Sequence, residues 1–287
     1  MPELPEVETV RQGLLSSLEG HRITHVLARR PDLRFALPDH FQERLTGARV
    51  EHLRRRAKYL LAELDTGEAL VMHLGMTGRF EIEEHGQTHT PGAFAHAAPA
   101  GQKHAHVLLD TDAGRRITYV DARRFGFMGL IPTDHLSEHA WFKGMGPEPL
   151  GPEFSAKVLQ EALEGRSQAI KTLLLDQRIV AGLGNIYVCE ALHRAHISPL
   201  KPGGEITRAR LAALVEMIRA VLEEAIEAGG STLRDFAAAD GSLGYFQHRF
   251  RAYGREDQPC LTPACRGVIR RQAQGGRSTF YCPVCQT

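Results

Sequence analysis

Cys260, Cys265, Cys282 and Cys285 constrain this 287-residue chain more than any other residues. They follow the spacing C-x4-C-x16-C-x2-C, two close pairs joined by a stretch long enough for a β-hairpin. Four thiolates in that pattern suit tetrahedral Zn²⁺. Two disulfides are the other use for them. The acidic N-terminus is no secretory leader, however, so a reducing compartment is expected. Four protein ligands leave no position for water, and so short a segment cannot fold on its own apolar surface. One structural Zn²⁺ is the expectation. Cys189 sits in an apolar helical pattern and reads as a buried residue instead.

The remaining chain divides by its hydrophobic periodicity. In residues 5–19, Val7, Val10, Leu14 and Leu18 recur at three- and four-residue spacing, which predicts an amphipathic helix stopped by Gly20. Short β-like runs follow at 22–29, 49–56, 58–64, 68–74, 105–110, 115–120 and 126–131. Runs at this spacing predict a sandwich or barrel-like pair of sheets. Segment 84–104, rich in Gly, Ala, Pro and His, predicts a loop, and its histidines lack a tight metal-ligand spacing. Gly144–Pro152 reads as a link to a helical half, with helices near 155–164, 167–176, 185–194, 207–228 and 231–238. The expected fold is α+β and multidomain. It has an N-terminal helix and β-sandwich over 1–143, a linker over 144–152, a helical domain over 153–256, and a zinc-finger β-hairpin over 257–287.

Composition is that of an ordinary globular protein, 43% hydrophobic and 24% charged, with a net charge of only +1. Distribution says more than the sum. Residues 249–287 carry seven arginines against Glu256 and Asp257, a net excess of five, and Arg54-Arg55-Arg56-Ala57-Lys58 forms a second basic knot. Such clusters are either solvated faces or the footprint of a nucleic-acid partner. No apolar run reaches the length a membrane span needs, so a cytoplasmic protein without a membrane partner is expected, as a monomer.

The chain opens Met1-Pro2-Glu3-Leu4-Pro5-Glu6. Methionine before a residue as small as Pro2 is expected to be removed, leaving a secondary amine beside a carboxylate. An α-amine has a reference pKa of about 7.7–8.0 against about 10.4 for lysine, so an appreciable fraction is unprotonated at neutral pH. When a secondary amine attacks a sugar's anomeric carbon, the resulting iminium cannot shed its charge by losing a proton. That ion is an electron sink. The positive end of helix 5–19 should lower the pKa of the amine, and Glu3 should raise it. Pro2 and Pro5 also suit the first turn of a helix, so the residues alone leave both readings open.

Two further segments carry chemistry. Gly182-Leu183-Gly184-Asn185-Ile186-Tyr187 joins two predicted helices: its glycines permit close backbone approach, and Asn185 is expected to cap the second helix. Exposed N–H groups there would make a phosphate seat. Arg277 follows Gly275-Gly276 at the predicted hairpin tip and is either a fork offered to a phosphate or a solvated turn residue.

With these segments in view, the whole chain resembles the bacterial formamidopyrimidine-DNA glycosylases. The resemblance rests on Pro2–Thr9, Arg55–Leu60, His73–Gly78, Arg123–Gly126, Gly144–Pro149, Gly182–Tyr187 and the terminal cysteines, collinear along the sequence. It implies removal of oxidised purines from double-stranded DNA through a Pro2 Schiff base, with Glu3 as proton donor to the opening sugar. Strand cleavage by β,δ-elimination would follow, assisted by Lys58 and Arg277. It further implies a helix–two-turns–helix domain, and DNA lying in a cleft between the two halves. Met76, Arg123 and Phe125 would fill the void left by the extruded nucleotide. His104, Asn185, Lys58 and Arg277 would contact the DNA backbone, and Glu6, Arg234 and Tyr245 would recognise the lesion. Abasic sites would also be substrates.

Three positions depart from the family's common pattern. The first cysteine pair has four intervening residues where many members have two, Ala122 stands where many have Pro, and Arg234 where many have Lys. Two other functions remain open. One is the sister enzyme for oxidised pyrimidines, against which Leu4-Pro5 and the Arg-x-Phe element weigh. The other is a non-catalytic zinc-finger DNA-binding protein, since binding parts survive the loss of chemistry.

Overall fold

In the computed structural model, which describes residues 2–91, 102–231 and 245–287, the first helix is Leu4–Leu18 (α1), one residue earlier than the periodicity predicts. Glu3 is its N-cap, and the Glu6 carboxylate reaches back to accept from the Glu3 N–H at 2.9 Å. Pro5 in the first turn removes a donor that the helix could not use. The chain divides into two compact units, Met1–Lys143 with Ala228–Tyr245, and Gly144–Glu227 with Phe246–Thr287.

The first unit is an antiparallel β-sandwich. Its strands are Ile23–Ala28 (β1), Val50–Arg56 (β2), Tyr59–Leu64 (β3), Glu68–His73 (β4) and Arg79–Glu84 (β5). Gln87–His89 (β6), Ala105–Thr111 (β7), Arg116–Val120 (β8) and Phe127–Pro132 (β9) complete it. One sheet runs β1-β7-β8-β5-β6 and the other β2-β3-β4-β9. A short helix, Phe41–Leu45 (α2), packs against β1. Val7, Val10, Leu14 and Leu18 of α1 enter the core shared by both sheets, beside Leu53, Leu60, Phe80, Ile117 and Met128. Burying each such side chain stabilises the unit by roughly 1.5–3 kcal/mol.

The sequence did not predict β5 or β6. Arg79-Phe80-Glu81-Ile82-Glu83-Glu84 has only two apolar residues, yet both are buried and pair across β8. Segment 84–104 is therefore not all loop; it contains β6 and a 3-10 turn at Gln102–His104, while residues 92–101 lie outside those described.

The second unit holds Ala156–Leu163 (α3), Ile170–Leu174 (α4), Asn185–Arg194 (α5) and Arg208–Glu227 (α6). Helices α3 and α5 pack on α6, which buries Leu211, Leu214, Ile218, Val221 and Leu222. Arg219 on α6 donates to the carbonyls of Pro149, Gly151 and Phe154, fixing the Pro/Gly-rich link. Helix α4 is shorter than the predicted 167–176, because Ala169 is extended and bridges Pro202. The helix predicted at 231–238 falls almost wholly outside the described residues. A hairpin, Arg270–Gln274 (β10) and Arg277–Tyr281 (β11), ends the chain. No helix among the described residues is long and apolar enough to cross a membrane.

Candidate active site and zinc centre

Pro2, Glu3 and Glu6 are all buried at the start of α1, the two acids only 4% and 3% exposed. Buried carboxylates need donors. Glu6 Oε2 accepts from the Glu3 N–H, while Oε1 accepts from Ser231 N at 2.8 Å and Ser231 Oγ at 2.9 Å. Ser231 bridges Tyr245, whose N–H donates to Ala228 O, so Glu6 and Tyr245 belong to one neighbourhood. Tyr245 is exposed, and Arg234 lies outside the described residues.

Lys58 occupies the two-residue turn between β2 and β3, where Arg56 pairs with Tyr59. Ala57, beside it, adopts φ 52, a left-handed conformation that disfavours any residue with a Cβ by roughly 1–2 kcal/mol. Arg55 holds the turn there, donating to Ala57 O at 2.9 Å and to Glu8 Oε2 on α1 at 3.0 Å. Burial alone would raise the Glu8 pKa. Hydrogen bonds and charge from Arg11, and then from Arg55, outweigh it, so Glu8 titrates below its usual range and stays ionised. The middle of the basic knot is thus an internal strut between the Lys58 turn and α1.

Met76, Arg123 and Phe125 come together on two connections that cross between the sheets, 74–78 from β4 to β5 and 121–126 from β8 to β9. The two backbones touch. A Cβ on Gly75 would lie 2.4 Å from Gly126 N, and one on Gly126 would lie 1.8 Å from Tyr119 Oη. The fully buried Asp121 carboxylate ties both connections. It accepts from Thr77 Oγ1, from Arg123 N at 3.2 Å, from Gly126 N at 2.8 Å and from Tyr119 Oη at 3.2 Å. Burial, followed by the charge and hydrogen bond of Asp121, pushes the Tyr119 hydroxyl well above its ordinary value, so it remains a donor. Phe125 is 40% exposed and the Arg123 guanidinium lies 4.6 Å from its ring centroid, a preassembled cation–π pair at the surface.

His73 braces the first connection by accepting from Gly75 N at 3.0 Å through Nδ1. Burial, then the positive charges of Lys58 and Arg34, depress its pKa to about 4, so Nδ1 keeps its lone pair at neutral pH. His104 precedes β7, and its carbonyl accepts from Asp121 N at 3.0 Å. It therefore adjoins the same assembly.

In the second unit, Asn185 does not cap α5 as expected. Gly184 is the N-cap and Asn185 the first helical residue; the Asn185 Nδ2 donates to Ser278 O at 2.9 Å, while its Oδ1, the atom a cap would use, has no hydrogen-bond partner among the described residues. Ser278 follows Arg277, which is exposed and opens β11 directly after the Gly275-Gly276 turn. Lys171, completely buried, donates to Ser278 O at 3.2 Å and Thr279 Oγ1 at 2.7 Å. Asn185 and Arg277 are thus brought together, and two side chains fix the strand that carries the arginine. Gln177 shapes the turn before α5, accepting from Gly182 N at 2.7 Å and donating to Leu183 O at 3.0 Å.

The four terminal cysteines converge, with their Sγ atoms all within 4.8 Å of one another. A tetrahedron of Zn–S bonds near 2.3 Å separates its sulfurs by about 3.8 Å. Cys260 and Cys285 lie 3.7 Å apart, as do Cys265 and Cys282, far beyond a disulfide bond and suited to one structural zinc. The enlarged Cys260–Cys265 loop adds Thr262 beside the sulfurs of Cys260 and Cys285. Cys189 is buried on α5, as predicted. Asp121 and Lys171 went unrecognised in the sequence; their signals were an acid two residues before the Arg-Arg-Phe-Gly run and a lysine within Ala169-Ile170-Lys171-Thr172-Leu173-Leu174.

Three family descriptions match in succession. They are the formamidopyrimidine-DNA glycosylase N-terminal domain over residues 1–128, the formamidopyrimidine-DNA glycosylase H2TH domain over 145–237, and the zinc finger found in FPG and IleRS over 257–287. The formamidopyrimidine-DNA glycosylase of Caulobacter vibrioides is 65% identical over 286 residues, covering 100% of both chains, and that of Phenylobacterium zucineum is 63% identical over the same span. Among solved structures, Lactococcus lactis Fpg in complex with DNA containing an abasic site is similar at TM-score 0.84 and 34% identity, with 100% of each chain covered. The MutM (Fpg) protein of Thermus thermophilus is similar at TM-score 0.83 and 38% identity, covering 99% of this chain and 98% of that one. By full-length identity, and by a fold that carries the sandwich, the helical domain and the cysteine cluster in the same order, this chain belongs to the formamidopyrimidine-DNA glycosylase family.

Proposed function

We infer that this chain is a bifunctional DNA repair enzyme that excises oxidised purines, 8-oxoguanine and formamidopyrimidines, from double-stranded DNA and then cleaves the abasic strand. The observation that carries the reading is Pro2, buried at the head of α1 directly before the buried acids Glu3 and Glu6. With Met1 removed, the Pro2 nitrogen attacks C1′; the N–C1′ bond forms as the glycosidic bond breaks, the base departs with its electron pair, and the proton lost from the nitrogen is taken up by the departing base. Glu3 then protonates O4′ as the sugar ring opens to the iminium. Loss of a C2′ proton expels the 3′-phosphate, and a second elimination expels the 5′-phosphate, with Lys58 and Arg277 as proton donors. Zinc takes no part in these steps; it holds the finger that presents Arg277.

The nucleotide must leave the stack to reach Pro2, at a cost of a few kcal/mol. Met76, Arg123 and Phe125 fill the vacancy, offsetting part of that cost. His104 and Asn185 contact the DNA backbone, and Glu6, Arg234 and Tyr245 read the lesion. The domain limits proposed are 1–143, 144–152, 153–256 and 257–287, the last being the span of the matching zinc-finger description. The enzyme acts as a monomer in the cytoplasm, at the nucleoid.

Borohydride trapping tests the reading. Duplexes with 8-oxoguanine opposite cytosine, and with a preformed abasic site, should give a covalent protein–DNA adduct. Greater turnover of thymine glycol than of 8-oxoguanine would reassign the enzyme to oxidised pyrimidines. No adduct with any lesion would leave a binding protein.

Asp121 gives a second test. In Asp121→Asn an amide donor replaces an acceptor that serves buried N–H groups, each worth about 1–3 kcal/mol when left unpaired. Excision of 8-oxoguanine should fall roughly 10–100-fold. Cleavage at a preformed abasic site, where no base has to be unstacked, should stay near wild type. Equal losses on both substrates would deny Asp121 a part in extrusion.

A further inference from the structure

Helix α5 is tied near both ends to the zinc finger and in its middle to residues 251–253, which lead into it. At its first residue, Asn185 donates to Ser278 O at 2.9 Å. In its middle, the buried Glu190 carboxylate accepts from the backbone N–H groups of Arg251, Ala252 and Tyr253 at 2.8–2.9 Å. Near its end, His193, only 1% exposed, sets Nε2 3.3 Å from Cys260 Sγ.

The chemistry of that last contact fixes its direction. A zinc-bound thiolate has no proton and can only accept, so Nε2 carries the hydrogen and donates. His193 Nδ1 then faces the interior with no hydrogen-bond partner among the described residues. A buried polar atom left unmatched is destabilising by about 1–3 kcal/mol. The remaining described donors to these sulfurs come from within the finger, Thr262 N to Cys260 at 3.5 Å, Thr262 Oγ1 to Cys285 at 3.6 Å and Gly267 N to Cys265 at 3.3 Å.

We propose that His193 is an outer member of the zinc centre, donating a hydrogen bond from α5 to the Cys260 thiolate. The bond withdraws charge from that sulfur, slows its reaction with electrophiles and oxidants, and makes metal occupancy and the position of α5 interdependent. The proposal goes beyond the catalytic reading and survives its failure, since it concerns only the metal and its ligands.

The full-length protein, loaded with Co²⁺ for spectroscopy and with Zn²⁺ for kinetics, tests it. His193→Phe keeps an aromatic ring and removes the donor, whereas His193→Gln restores an N–H. The thiolate-to-cobalt charge-transfer band should shift in His193→Phe and return towards wild type in His193→Gln. Zinc release driven by N-ethylmaleimide, read with a chromogenic chelator, should be about tenfold faster in His193→Phe. An unshifted band in a folded, metal-loaded His193→Phe protein overturns the proposal whatever its release rate, because loosened packing alone does not alter the sulfur's electronic state. If His193→Phe fails to load metal, His193→Gln decides: release within twofold of wild type supports the bond, and failure as complete as that of Phe overturns it.

Discussion

Protein whose Pro2 nitrogen is blocked by a retained Met1 should bind abasic DNA yet form no borohydride-stable adduct with it. In that form the pyrrolidine nitrogen is an amide, its lone pair is delocalised into the peptide bond, and no nucleophile remains. Removing a nucleophile from a site that otherwise stays intact lowers turnover by roughly three orders of magnitude or more. Pro2→Gly, processed to a free α-amine, should retain more activity than the blocked form. Its primary amine can still attack, but the resulting imine can lose its proton and with it the electron-withdrawing charge. Intact mass and gel analysis of the trapped species check both forms together. A covalent adduct from protein of mass one methionine higher would sink the Pro2 mechanism. Because Glu3 and Glu6 are both buried beside Pro2, their hydrogen bonds should persist in the blocked protein, leaving binding close to normal.

The second large effect is expected from stripping the zinc. The apolar core around the cysteines consists of Ala252, Ile269 and Phe280 besides the cysteines themselves, and a two-stranded hairpin is marginal alone in water. Zinc binding in such segments supplies about 10–16 kcal/mol of apparent free energy, most of what holds them folded. Loss of the hairpin also deprives Lys171 of Ser278 O and Thr279 Oγ1, weakening the solvation of a fully buried ammonium. The damage should therefore reach α4 and α5 and the Asn185 contact. Chelation, or Cys282→Ser, should raise the Kd for abasic DNA about 100-fold or more, equivalent to about 2.7 kcal/mol. Fluorescence anisotropy against chelator concentration checks this. Metal-free protein binding within a few-fold of the zinc form would show the finger to be dispensable.

Much of this architecture could be read from residue order. The cysteine spacing, the strands of the two sheets other than β5 and β6, and the bounds of α5 follow from local periodicity, which acts over a few residues. Strand β5 escaped because four of its six residues are charged; its place is dictated by pairing with β8, not by its own pattern. The candidate site was legible where a residue's chemistry is intrinsic, as for the four thiols, whose sulfurs converge. It was illegible where a role comes from a distant partner. Asp121 joins its neighbours Tyr119, Arg123 and Gly126 to Thr77, 44 residues away, and Lys171 reaches Ser278, 107 residues away. Nothing near either residue in sequence announces those distant partners. The Asn185 contact was hidden likewise: its Nδ2 donates to a carbonyl 93 residues on, and the helix is capped by Gly184.

The grip of Lys171 and Asn185 on Ser278 has a consequence for inheritance. A transplanted finger would bring its own metal and its own hairpin into a chimaera. The bearing of Arg277 would stay behind, because it is set by two side chains encoded about a hundred residues upstream. Grafting the hairpin between relatives should therefore succeed only when the α4–α5 segment travels with it.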